Sequence, residues 1–170
     1  IEPSNPRFVT AGRIARRAEA RLSGQEAAVS LISTFKERAV TDNQRAALQA
    51  ELVRTYIDSL DEQNAIAAAD DLADAYGDSR WAEWAERARY EVENLLPGKP
   101  APEVTARTVE GEAVELDDYS GYLVVLEFYH PSDEMYQRQI PTRNALYEAT
   151  RRDSVAFISV SLEPDSLLNR

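Results

Sequence analysis

With 170 residues, 44% of them hydrophobic, the chain can bury one core or two small ones and is too apolar for wholesale disorder. A net charge of −11 and a pI near 4.6 would repel a phosphate backbone, so nucleic acid is excluded as an expected partner. The absence of Cys and the single His remove disulfides, thiolate catalysis and the usual transition-metal ligand sets, and no metal or cofactor is expected.

No apolar run reaches the roughly 18 residues of a membrane-spanning helix, and no signal-peptide pattern is present. The chain opens on Ile1, which reads as a processed or trimmed N-terminus. Lys36 and Lys99 are the only lysines, so Arg supplies the other basic residues. That bias fits either solubility in high salt or a GC-rich genome, with equal weight.

Residues 1–96 read as all helix, in five segments with helical period. The first runs from about Thr10 to Leu22, with Ile14, Ala18 and Leu22 predicted on its inward stripe. Ser23 and Glu26 have capping-box spacing ahead of the second helix, whose face is Ala28, Leu31, Ile32, Phe35 and Ala39. Thr41 and Gln44 repeat that spacing before the third, which places Leu48, Leu52, Tyr56 and Leu60 inward, with Val53 and Ile57 beside them. The fourth spans Glu62 to Tyr76 and ends on Gly77, as an αL cap would. Asp78 or Ser79 caps the fifth, with Trp81, Trp84, Ala85, Ala88, Val92 and Leu95 on its face. Short connections predict antiparallel neighbours. A helical bundle is the plain expectation and a tetratricopeptide-like array the alternative.

Leu96-Pro97-Gly98-Lys99-Pro100-Ala101-Pro102 stops the helices and marks the expected boundary between a helical domain, 1–96, and a second domain, 97–170. The period then becomes two. Val104 and Ala106 alternate with polar residues, as do Val114 and Leu116, around a turn at Val109-Glu110-Gly111-Glu112, which predicts a β-hairpin. Tyr122–Tyr129 and Ser154–Ser161 read as strands buried on both faces, joined by a helix from about Glu134 to Arg152 that Pro141 should kink. Strand, helix, strand predicts a parallel βαβ unit. Glu163-Pro164-Asp165-Ser166 begins one more predicted helix. The fold class is thus α followed by α/β.

Several short stretches share their wording with one family. Gly98-Lys99-Pro100-Ala101-Pro102-Glu103-Val104 matches a "G-x-x-A-P-x-F" opening. Glu110-Gly111 stands at an Asp-Gly turn. Leu116-Asp117-Asp118-Tyr119-Ser120-Gly121 matches "L-S-D-x-x-G-K", and Leu126-Glu127-Phe128-Tyr129 matches "L-N-F-W". Gln139-Ile140-Pro141 matches "E-x-P", and Val160-Ser161-Leu162-Glu163 matches the end of the following strand. In order and spacing, the region from Pro97 to Arg170 resembles the front of the TlpA-like, AhpC/TSA-type branch of the thioredoxin superfamily.

That resemblance implies a partial thioredoxin-like domain and a C-x-x-C pair at the start of the helix. The family's F-W-A-x-W-C-x-x-C-x-x-E-x-P aligns without a gap on Phe128 to Pro141, and its two Cys positions hold Asp133 and Tyr136. Neither can exchange a disulfide. A peroxiredoxin pattern, P-x-x-x-T-x-x-C from Pro131, places Met135 and Arg138 at the Thr and Cys positions and also fails. No catalytic residue is therefore assigned. His130 is a weak candidate for acid–base work beside Asp133, with a plain loop residue the commoner reading. Asp133-Glu134 could hold a hard cation but reads better as a helix cap.

The expected function is a thioredoxin-like module that has lost its dithiol site and mediates protein contacts. The alternative is a fragment of a thiol-disulfide oxidoreductase or antioxidant protein whose active residues lie outside this chain. A protein partner is expected, with Trp81 and Trp84 as a platform if they are not core. A homodimer is expected through an exposed strand edge if the sheet is cut short. An extracytoplasmic or periplasmic location is implied by the family resemblance alone.

Overall fold

The computed structural model describes residues 1–163. The chain divides into two compact units, Ile1–Pro102 and Glu103–Arg170. The helix predicted to begin at Glu163-Pro164 falls, past Glu163, outside the described residues.

The first unit is five helices: α1 Phe8–Leu22, α2 Gln25–Arg38, α3 Asp42–Asp58, α4 Glu62–Tyr76 and α5 Arg80–Asn94. Each packs on its neighbour in sequence, and α3 also meets α1 and α5, so α1, α3 and α5 share one side. Local chemistry accounts for most boundaries. Thr41 caps α3 in a full capping box with Gln44, Asp61 accepts from Asn64 N at the start of α4, and Ser79 accepts from Trp81 N at the start of α5. The Ser23–Glu26 box does not form. Gly24, at φ 93°, is the residue before α2 and offers no side chain, while Ser23 closes α1. Gly77 ends α4 at φ 26° and ψ −124°, a positive φ but not the αL geometry.

Three apolar clusters hold this unit. Ala46, Ala50 and Val53 of α3 meet Ala68, Ala69 and Leu72 of α4 and Ala85 and Ala88 of α5. Phe8, Ile32, Ala39 and Leu48 form a second cluster, and Ala65, Val92 and Leu96 a third. The alanines let the helix axes approach closely.

The predicted stripe of α1 is corrected. Ile14 is 64% and Leu22 83% exposed, whereas Phe8, Gly12 and Arg16 are buried. Two contacts fix this rotation. Gly12 sits so close to Leu48 and Phe35 that a Cβ would meet both at 3.0 Å. Arg16, buried, faces Glu51 at 3.4 Å and Asp58 at 2.8 Å. Leu60 is also not on the α3 face. It takes φ 57° just past the helix, donating to Ile57 O while Asp61 donates to Tyr56 O. That is a Schellman closure with a leucine in the glycine position. Leu95 is exposed and Leu96 buried in its place.

In the second unit, β1 Thr105–Arg107 and β2 Ala113–Glu115 form an antiparallel hairpin with Gly111 at φ 89° in its turn. A short 3-10 helix, Leu116–Tyr119, leads on to β3 Leu123–Tyr129, α6 Glu134–Thr150 and β4 Val155–Ser161. β3 and β4 pair in parallel, Leu123 opposite Val155 through Tyr129 opposite Ser161. α6 continues through Pro141. The expectation of strands buried on both faces is corrected: Leu123, Val125 and Phe128 are exposed, and the fully buried core among the described residues lies in the first unit. A two-stranded sheet with one helix cannot cover both faces of its apolar strands.

The expected protein partner and homodimer are corrected as well. Trp81 and Trp84 are not a free platform: they pack half-buried against the cluster of α3, α4 and α5, and Trp81 Nε1 donates to Asn43 at 3.2 Å. β3 finds a ladder partner along its whole length within the same chain, in β4, so on that edge the pairing expected of a second copy is already made. No described helix is long and apolar enough to cross a membrane.

Candidate functional site

The turn between β3 and α6 is built by Asp133. Its backbone N donates to His130 O at 3.0 Å, and its Oδ1 accepts from the amides of Met135 at 2.7 Å and Tyr136 at 3.3 Å. Asp133 thus caps α6, and its carboxylate meets the positive end of the helix dipole. Gln137 Nε2 adds a bond to Pro131 O at 3.0 Å, and Ser132 Oγ donates to Glu163 Oε1 at 2.9 Å. The turn is a self-satisfied loop in which exposed polar groups bind one another.

The Tyr136 side chain finds its partners on β3 and further along α6. Its ring stacks on Tyr129 of β3, centroid to centroid 4.4 Å at 18°. Arg143, two turns further along α6, donates to the Tyr136 hydroxyl at 2.5 Å and to Glu127 Oε2 at 2.7 Å. Ser159 Oγ of β4 donates to the same Glu127 oxygen at 3.0 Å. The Glu127 carboxylate, hydrogen-bonded to Arg143, raises the guanidinium pKa, partial burial opposes the rise, and the Tyr136 contact adds to it. Strand, helix and neighbouring strand are therefore joined through one carboxylate.

Beside this cluster lies an open cavity of about 460 Å3, floored by Val125 and Phe157 of the strands and Leu146 of α6, with Arg143 and Glu127 on its wall. Its floor is the strand surface that the two-stranded sheet leaves exposed.

The structure places the sequence-predicted residues as follows. Asp133 is a cap and Tyr136 a strut. His130 is exposed in the loop, and the Asp133 oxygen that is bonded serves the helix amides rather than the imidazole. Glu134 pairs with Arg138 at 3.2 Å, and among the described residues no group of three or more potential metal ligands gathers. Sequence reading passes over Glu127, Arg143 and Ser159. The available signal was Glu127 itself, a carboxylate inside an otherwise apolar strand run.

Residues 97–169 match the family model described as the AhpC/TSA family. The match spans the hairpin and βαβ region and meets the resemblance seen in the residues at family level. No curated protein and no solved structure matches the chain.

Proposed function

We infer that residues 97–170 are a TlpA-type, thioredoxin-like domain of the AhpC/TSA kind in which dithiol chemistry has been replaced by fixed structure, so that the protein acts without thiol turnover. The carrying observation is the pair Asp133 and Tyr136. Aligned on the family's C-x-x-C positions, one caps α6 through the Met135 and Tyr136 amides and the other is held between Tyr129 and Arg143. A nucleophilic thiol needs that helix N-terminus to lower its pKa, and a second thiol to resolve the mixed disulfide. A chain without cysteine supplies neither.

The test is insulin reduction by dithiothreitol and peroxide consumption, each measured with and without the protein. Background rates are expected in both. Turnover above background in either assay overturns the reading. Placing the protein outside the cytoplasm rests on the same likeness, and cell fractionation that recovers it in the cytosol would reject that placement.

A further inference from the structure

α3 and α5 carry the same charges at the same spacing. Arg54 precedes Asp58 by about one turn on α3, and Arg87 precedes Glu91 by the same interval on α5. Successive helices with short connections reverse direction, so α3 and α5, on either side of α4 in sequence, run parallel. The guanidinium of Arg54 lies 5.3 Å from the centre of the Trp84 ring, about one turn before Arg87, and both segments line one cavity. In each helix the arginine stands about 6 Å before its carboxylate along the axis, and both helices carry that order in the same direction. Ile57, Trp84 and Ala88 complete the lining of a cavity of about 330 Å3, within the size range of small-ligand sites.

The arginines lining this cleft do not pair with the carboxylates that line it one turn further along the same helix. On α5, Arg89 and Glu93 close an i,i+4 pair at 3.0 Å, whereas Arg87 and Glu91, with identical spacing and order, form no ion pair among the described residues. On α3, Asp58 is held by Arg16 at 2.8 Å, and Arg54 lies 3.9 Å from the buried Glu51 rather than pairing with Asp58. A simple anion here would face two carboxylates and a simple cation two arginines, each a like-charge penalty.

We propose that the α3–α5 cleft binds a free zwitterionic amino acid with an apolar side chain. Its carboxylate meets Arg54 and Arg87, its ammonium meets Asp58 and Glu91, and its side chain rests on Trp84, Ile57 and Ala88. The arginines offer the fork geometry suited to a carboxylate, and the apolar lining rewards burial of the side chain.

The experiment titrates the full chain with L-phenylalanine, 3-phenylpropanoate and phenethylamine, following the Trp84 indole NMR signal, assigned with Trp84→Phe, against Trp81 as internal reference. Saturable movement of Trp84 is expected with phenylalanine, and binding about tenfold or more weaker for each single-charge analogue, since each lacks one charged hydrogen-bond set. Arg87→Gln and Glu91→Gln, both on exposed positions, are each expected to weaken phenylalanine binding about tenfold with unchanged helical circular dichroism. The proposal is overturned if phenylalanine gives no saturable shift below roughly 10 mM, if either analogue binds as well, or if both variants bind like the parent.

Discussion

Arg143 on α6 reaches Glu127 in the middle of β3, Nη1 to Oε2, at 2.7 Å, and both side chains are 30% exposed. The same nitrogen holds the Tyr136 hydroxyl, so the Tyr136 side chain and the helix–strand contact depend on one guanidinium.

Arg143→Gln is expected to destabilise the second unit by about 1 kcal/mol, as a half-covered ion pair with a neutral hydrogen bond should. Faster hydrogen exchange at the Tyr136 and Gln137 amides would report it. The pKa of Arg143 is raised in the folded state. A raised pKa adds stability that is complete below the ordinary guanidinium value and fades only above it. The cost of the substitution should therefore be equal at about pH 6 and about pH 9. A marked decline between those values would contradict the assignment.

Asp133→Ala should cost about 1 kcal/mol by uncapping α6, while Asp133→Asn, which keeps an acceptor, should cost a few tenths. Urea unfolding followed at the α6 amides distinguishes the two. Equal losses would mean that Asp133 contributes charge rather than the cap hydrogen bonds.

In the helical unit, Glu51 is 1% exposed and faces Arg13 at 2.5 Å and Arg16 at 3.4 Å. Glu51→Ala leaves buried guanidinium charge short of its partner and should lower stability by about 3 kcal/mol. The double change Arg16→Met with Glu51→Leu should recover most of that loss, because the buried charges leave together. Denaturant midpoints of the parent, Glu51→Ala and the double variant test this, and a double variant no more stable than Glu51→Ala would refute it.

Leu60→Gly should raise stability by about 1 kcal/mol. The leucine side chain is 56% exposed, so little burial is lost, and glycine relieves the αL penalty at φ 57°. A lower thermal midpoint for the variant would show that Leu60 makes contacts that outweigh its backbone strain.

Helix periodicity, the proline-rich break at 97–102 and the switch to period two were sufficient to order the elements of both units, because each is a local signal carried by neighbouring residues. Thr41 with Gln44 and the hairpin turn at Gly111 were legible for the same reason. That these 170 residues carry no cysteine was read from composition alone. Only the tertiary structure decided which side of α1 faces inward: Gly12 and Arg16 are buried through partners on other helices, Leu48 and Glu51, some 35 residues away in sequence. It likewise brought Glu127, Tyr136 and Arg143 together across β3 and α6, and set Arg54 and Asp58 around one cavity with Arg87 and Glu91. The parts of these relationships that cross between elements, Glu127 to Arg143 and α3 to α5, join residues that no sequence period links, so packing alone could create them.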